Sequence, residues 1–262
     1  MDLEIKGRVA FVAASSKGLG RSAAEALAAD GVRLALCSRN GDTLAETAGQ
    51  IRDRWNADVL TEALDVNDFD AVTVFLDKVR CEFGRIDVCV TNAGGPPAGS
   101  FEDFSLEDWR QAFETSFMST LHMIREVLPG MRQQHWGRIV TITSISVKQS
   151  IDGLILSNAI RASVLGLLKS LVREYGRDNV LFNNVCPGAT ATDRLLDVAA
   201  SRAADQGVTQ EEIIERMGAQ IPLGRVGRPE EFGPLVAFLC SERAAYITGT
   251  STAIDGGEVR GG

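Results

Sequence analysis

Residues 8–27 read RVAFVAASSKGLGRSAAEAL. The first seven, RVAFVAA, are apolar and partly β-branched, the composition of a strand buried on both faces. Gly18 and Gly20 follow closely, and helical spacing of apolar residues takes over across 19–30. A Gly-rich turn gains meaning from this context. Between a strand and a helix, bare amides and the positive end of the helix dipole converge on one point, where a pyrophosphate can be held. A tight strand-to-helix turn without a ligand would use the same residues.

The alternation continues along the chain. Strand-like runs recur as VRLALCS (32–38), VLTEALD (59–65), IDVCVTN (86–92), RIVTITS (138–144), VLFNNVC (180–186) and TSTAID (250–255). Helical periodicity occupies 43–55, 68–83, 105–134, 154–176 and 229–241. Repeated β-α-β units require a parallel sheet covered on both faces, and right-handed crossovers make it doubly wound. The expected fold is one α/β domain over 1–262, a Rossmann-type doubly wound parallel sheet of about seven strands. No Pro/Gly/Ser-rich linker divides it. The segment 189–226 is longer than a simple crossover needs and reads as two short helices with a loop at Gln206–Gly207. Its place after a strand's carboxyl end is that of a substrate lid.

The gross numbers set limits. A chain of 262 residues with 45% apolar and 24% charged residues can bury a substantial core. A net charge of −8 argues against nucleic acid as a partner. No apolar run reaches the length needed to span a bilayer, and MDLEIKGRVAF lacks the pattern of a secretory signal. The expectation is a cytoplasmic protein without membrane attachment. Cys37, Cys81, Cys89, Cys186 and Cys240 are scattered, with no spacing suited to zinc, so no metal is expected. They read as buried free thiols. His122 and His135 lie in or just after one predicted helix, which argues against a His-based triad.

Further motifs follow the strand ends. Asp65-Val66 follows the third strand, Asn92-Ala93-Gly94-Gly95 the fourth and Ser144 closes the fifth. Pro187-Gly188 and Thr192 follow the sixth, and Asp255-Gly256-Gly257 the last. With the Gly-rich turn they span nearly the whole chain, which resembles the short-chain dehydrogenase/reductase family. That family's turn is TGxxxGxG; here Ala13 and Ala14 replace the Thr and the first Gly, and Ala14 adds a methyl group. The resemblance implies a dinucleotide on the turn residues Ala14, Ser16, Lys17, Gly18, Leu19 and Gly20. It places Asp65 and Val66 at the adenine, although Asp65 could equally cap the helix before Asp68. It leaves room for a ribose at Gly94 and gives Asn92 a structural role. It sets the backbone of Pro187, Gly188 and Thr190 near the nicotinamide carboxamide, with the Thr192 hydroxyl on the pyrophosphate.

The second strand ends Cys37-Ser38-Arg39-Asn40, without the carboxylate that an NAD site offers to the ribose hydroxyls. Arg39 could grip a 2′-phosphate in a fork, with Lys17 as a second cation, so NADP (NADPH) is the expected cofactor. Both could instead be solvated charges.

The catalytic set departs from the family. Its tetrad is Asn, Ser, Tyr and Lys. In RIVTITSISVKQSIDGLILSNAIRASVLG (138–166), Ser144 matches the Ser, but Ser157 stands for the Tyr and Arg161 for the Lys. In DWRQAFETSFMST, Trp109 aligns and Ser116 stands where the family has Asn. By resemblance Ser144 bonds the substrate carbonyl oxygen. A Ser hydroxyl is a far weaker acid than a phenol near ~10, and it is shorter. Arg161 remains cationic on the same helix face as Ser157 and could hold the nicotinamide ribose, but cannot act as a free amine. Lys148, in the loop after Ser144, would serve as an acid if desolvated beside Arg161, and Asp152 is a second candidate. Lys148 also reads as a surface lysine.

The expected function is NADP-dependent carbonyl reduction or alcohol oxidation on a small-molecule or acyl substrate, of 3-oxoacyl type, with Ser144, Lys148, Ser157 and Arg161 as the catalytic candidates. The alternatives are a non-catalytic NADP-binding sensor or assembly subunit, and a lyase or isomerase using Lys148 or Asp152 as base. Arg194, Arg202 and Arg216 lie among several acids in the lid and name no substrate charge. Residues 154–176 carry apolar side chains on more than one face, so a homo-oligomer, dimer or tetramer, is expected.

Overall fold

The computed structural model describes residues 1–260, without the side chains of residues 201 and 205. Its strands are β1 (Val9–Val12), β2 (Arg33–Ser38), β3 (Val59–Ala63), β4 (Val88–Thr91), β5 (Gly137–Ile142), β6 (Val180–Pro187) and β7 (Ser251–Ile254). They form one parallel sheet in the order β3-β2-β1-β4-β5-β6-β7. The order reverses between β1 and β4, and a crevice opens there outside the carboxyl ends of the strands.

Strand alternation divides the core in two. Ala10, Val12, Leu34, Leu36, Val88 and Val90 face one side. They pack against α1 (Gly18–Ala29), α2 (Gly41–Trp55) and α9 (Gly233–Leu239). Val9, Phe11, Ala35, Cys37, Cys89 and Phe182 face the other side, against α3 (Phe69–Phe83), α5 (Ser119–Gln133) and α6 (Ile155–Tyr175). Burial on both faces explains why the strands read as continuous apolar runs. The remaining helices are α4 (Leu106–Phe113), α7 (Asp193–Gln206) and α8 (Gln210–Ala219). The last two form the 189–226 segment, with Gly207 in a left-handed conformation between them at φ +64°.

Helices α1 and α9 cross with little space between them. Ser22 Oγ donates to Pro229 O at 2.5 Å and accepts from Gly233 N at 3.0 Å. A Cβ built on Gly233 would overlap the Ser22 carbonyl, far inside van der Waals contact. Backbone cannot swing aside as a flexible side chain can. Gly233→Ala is therefore expected to cost about 1–3 kcal/mol of stability, read as a lower denaturant midpoint at unchanged slope.

Three expectations are corrected. The helix expected over 105–134 is interrupted by a π-helical turn at Glu114–Met118, which separates α4 from α5 and contains Ser116. Such one-turn insertions often mark functional sites. Cys81 is exposed on α3, whereas the other four cysteines are buried free thiols. The stretch Ile155–Asp178 is long and apolar enough, by length and composition, to cross a membrane. Yet its Leu156, Ile160, Val164 and Leu168 are buried, so it serves as a core helix of this domain.

Candidate active site

The motif residues converge because a parallel sheet brings all its carboxyl ends to one edge. At the end of β1, Ala13 N bonds Val90 O and Ser15 N bonds Cys37 O, both at 3.0 Å, fixing the turn between β2 and β4. Ala14 sits at φ +48°, in the left-handed region where the family has Gly. The turn keeps its conformation despite the added methyl. Gly20 has no such freedom: a Cβ there would overlap the Ala14 carbonyl. Asn92 Nδ2 donates to that same carbonyl at 3.4 Å. Ser16 is buried, and its carbonyl accepts from Thr47 Oγ1 at 2.7 Å. Leu19 packs on the core from the first turn of α1.

Two features of this edge suit a dinucleotide. The N-cap of α1, Lys17, makes no side-chain capping bond, so the first-turn amides keep their donors for an anion. Gly94 faces open space: nothing lies within 4 Å of a Cβ built there. The residues present therefore fit the cofactor that the motifs imply.

The cations are placed differently from each other. Arg39 is exposed just beyond β2 and takes no ion pair among the described residues. Lys17, in the turn, has its Nζ 2.9 Å from Asp193 Oδ2 at the start of α7. Both partners are more than half exposed, so this bridge from turn to lid is weak. Asp65 is not the helix cap. Asp68 caps α3, while Asp65 Oδ1 accepts from Asn67 N at 2.9 Å and Val66 is buried. Across the crevice, Gly188 N bonds Ile254 O at 2.9 Å, holding the loop after β6 to β7. Thr190 Oγ1 donates to Gly188 O at 3.2 Å. Thr192 lies against Gly18, 3.3 Å from the position of a Cβ there. Asp255 accepts from Gly257 N and Val259 N, a purely structural turn.

Ser144 follows β5 and its Oγ accepts from Ser146 N at 3.1 Å. That bond uses a lone pair and leaves the hydroxyl proton free to be donated. Ser157 is buried on α6, with its Oγ 3.1 Å from Ser146 Oγ. Ser116 is buried in the π-helical turn, with no partner for its Oγ among the described residues. Arg161 Nη1 donates to Thr143 O at 2.5 Å and to Ile142 O at 3.4 Å. Burial, with help from the nearby Arg194 charge, pushes its guanidinium down to about 10. It stays cationic at neutral pH. Lys148 and Asp152 are both exposed, so the burial that would turn Lys148 into an acid is absent. Burial raises the Cys186 thiol, and the Thr143 hydroxyl and the Lys148 charge partly offset that rise.

Neither tyrosine in the chain replaces the missing one. Tyr175 lies eighteen residues beyond Ser157 on α6, ~27 Å away at the helical rise, under the Arg132 guanidinium. Tyr246 is fully exposed.

Two residues at the site escaped the sequence reading. Ser146 had no motif to mark it. Arg194 lies among mixed charges in the lid sequence, and its Nη2 donates to Pro96 O at 2.8 Å. Its guanidinium covers Gly95, where a Cβ would collide with it.

A parallel doubly wound sheet with this Gly-rich edge and a serine closing β5 defines a short-chain dehydrogenase/reductase, and the chain belongs to that family. The family model described as Enoyl-(Acyl carrier protein) reductase matches residues 13–258. The 3-oxoacyl-[acyl-carrier-protein] reductase FabG of Aquifex aeolicus is 32% identical over 98% of this chain and 99% of its own. The Monensin polyketide synthase putative ketoacyl reductase of Streptomyces virginiae is 35% identical over 95% of this chain and 96% of its own. Among solved structures, L-sorbose reductase from Gluconobacter frateurii, complexed with NADPH and L-sorbose, superposes with a TM-score of 0.96 at 30% identity. That alignment covers 100% of both chains.

Proposed function

We propose that this protein is an NADP-dependent oxidoreductase that reduces a carbonyl compound, or oxidises the matching alcohol, through an active site without the family's tyrosine. The observation that carries this reading is the single sheet edge that holds three features: the uncapped α1 turn, the exposed Arg39 and the Ser144 hydroxyl. Its relatives include reductases named for 3-oxoacyl substrates, and a 3-oxoacyl compound is the reference substrate.

Gly18, Leu19 and Gly20 would hold the pyrophosphate by their amides, Arg39 the 2′-phosphate, Gly94 the ribose and the Pro187–Thr190 backbone the carboxamide. The bound cofactor supplies the hydride. Ser144 donates its free proton as a hydrogen bond to the carbonyl oxygen, aligning it and favouring the charge that develops there. Arg161, anchored on Thr143 O, holds positive charge beside the same oxygen and the ribose. A guanidinium stabilises an alkoxide but gives up its proton poorly. The proton therefore comes from solvent, with the exposed Lys148 as the side chain that relays it. Ser157 is tied to Ser146 and is too weak an acid to supply it. The segment 189–226 serves as the substrate lid.

The test follows NADPH absorbance as 3-oxoacyl thioesters and small ketones are supplied. Lys148→Met is expected to lower kcat roughly tenfold or more with NADPH affinity intact, and Ser157→Ala to leave kcat nearly unchanged. The opposite pattern would move the donor role to Ser157. The loss of Tyr and Lys also favours a second reading, a cofactor-binding sensor or assembly subunit. No turnover with any carbonyl, together with tight NADPH binding, would select it.

Copies of the chain associate in this proposal as a dimer or tetramer. Phe101 and Leu106 are exposed beside a hollow of about 340 Å³ lined by Leu106, Trp109, Phe113 and Ile160. A cytoplasmic setting suits the four buried reduced thiols.

A further inference from the structure

Residues 145–154 join Ser144 to α6, and α6 itself holds them in place. Ile145 and Ser146 are buried, but 148–150 and 152–153 are exposed, so burial does not fix the far half of this loop. Hydrogen bonds do. Lys148 N and Gln149 N both donate to Ile145 O, at 2.9 and 3.1 Å. Asn158, in the first turn of α6 and next to Ser157, takes both backbone groups of Ile151. Its Nδ2 donates to Ile151 O at 2.9 Å, and its Oδ1 accepts from Ile151 N at 3.2 Å. Gly153 O accepts from Gly99 N at 2.7 Å, which ties the end of the loop to the loop after β4. Arg260 N, beyond the C-terminal turn, donates to Gln149 Oε1 at 3.1 Å. Lys148 therefore lies in the chain between Ser144 at one anchored end and the Asn158 clamp at the other.

The two neighbours on α6 act on this loop in different ways. Ser157 Oγ meets the Ser146 hydroxyl at 3.1 Å, side chain against side chain. Losing that contact leaves the loop backbone held. Asn158 grips the main chain, and a main-chain clamp decides where the loop runs. An exposed segment with few apolar contacts opens at little cost, so each backbone fastener weighs heavily in it. A group that serves a reacting atom loses much of its effect when it sits ~1 Å out of place. We infer that Asn158 is a positioning residue: by clamping Ile151 it holds the loop that carries Lys148 where the ammonium can relay a proton to the oxygen bound by Ser144. The inference rests on the proposed relay by Lys148. In that reaction the carbonyl carbon gains the hydride from NADPH and the C=O π pair moves to oxygen. The oxygen takes one proton from the Lys148 ammonium, and solvent returns a proton to the amine. Asn158 transfers nothing and acts only through the loop.

The test measures NADPH consumption with acetoacetyl-CoA, a 3-oxoacyl thioester. Asn158→Ala removes both bonds to Ile151. It is expected to lower kcat roughly tenfold, within the range of two neutral hydrogen bonds, with NADPH affinity unchanged. Amide exchange should quicken across 148–153 while the sheet keeps its protection. In a Lys148→Met protein the same substitution should change kcat less than about twofold, because the group it positions is gone. Asn158→Gln, which keeps both polar groups on a longer arm, should fall between wild type and Asn158→Ala, and it reads the clamp if the alanine variant does not fold. Wild-type kcat in Asn158→Ala overturns the inference. So does an equal fall with and without Lys148, or a loss of NADPH affinity, because the clamp would then serve the fold alone. Each of these leaves the Lys148 relay standing. If Lys148→Met by itself leaves kcat unchanged, the relay falls and this inference falls with it. No turnover by the wild type removes the reductase reading and both of these.

Discussion

The double variant Ser157→Tyr with Arg161→Lys is expected to raise turnover of a small neutral ketone by roughly 10²-fold, the lower end of what a positioned general acid contributes. In the proposed reaction the wild-type site supplies two of the functions needed: Ser144 to orient the oxygen and a cation at position 161. It lacks an acid of suitable strength within reach of the oxygen. A phenol titrates near ~10 and is lowered further by a neighbouring ammonium. It also projects well beyond a serine hydroxyl on the same helix face. Ser157 is buried and its oxygen lies against Ser146, so the new ring must pass that hydroxyl to enter the crevice. The lysine partner should be installed with it, because Arg161 is committed to the Thr143 carbonyl by a short bond and cannot move to serve a phenol. The upper end of the range is out of reach while Ser116 stands in the π-helical turn without the carboxamide that positions a relay water in the family. NADPH consumption measures the result, and NADPH affinity checks that the site is intact. A folded double variant with normal NADPH affinity and no gain in turnover would show that the tyrosine is not what limits this site.

The fold was legible because both signals that define it are local. Apolar runs buried on two faces and helices at 3.6-residue spacing can be read one window at a time. Each motif follows a strand, and the parallel sheet then delivers all of them to one edge. The π-helical turn at Glu114–Met118 was not legible, since an extra residue in a helix leaves the apolar pattern on either side almost unchanged. The contacts of Lys17 and Arg194 were not legible for a related reason. Their partners, Asp193 and Pro96, lie 176 and 98 residues away in the chain, and nothing near either residue announces the pairing. The buried Arg138 on β5 is a further case. Its charge is met by Glu242, near the C-terminal end of the chain, and its guanidinium stacks on Trp136. Substitutions at motif positions, by contrast, were visible at once. Ser157 and Arg161 stood out because the surrounding pattern says what should be there.

Arg39→Asp is expected to reverse cofactor preference, changing the NADPH-to-NADH affinity ratio by roughly 10³-fold. Two effects combine. Removing the guanidinium deletes charge-assisted bonds to the 2′-phosphate, each worth about 1.5–3 kcal/mol, and the new carboxylate repels that phosphate. The same carboxylate can accept from both ribose hydroxyls of NADH, which is how acid-bearing sites of this fold select it. A tenfold change in affinity takes about 1.4 kcal/mol, so the two effects together reach the stated range. The position tolerates the change. Arg39 is exposed and takes no ion pair among the described residues. The neighbouring cap is made by Asn40, whose Oδ1 accepts from Thr43 N at 2.9 Å, so α2 keeps its first turn. Lys17 should contribute less, because its ammonium is largely solvated and shared with Asp193 in an exposed, weak bridge. Lys17→Met is therefore expected to weaken NADPH only slightly, against the large loss for Arg39→Asp. Calorimetric titration of both cofactors into wild type and both variants measures this. If the wild type binds NADH as tightly as NADPH, or if Arg39→Asp leaves the ratio unchanged, then Arg39 is a solvated surface charge and another residue reads the 2′ position.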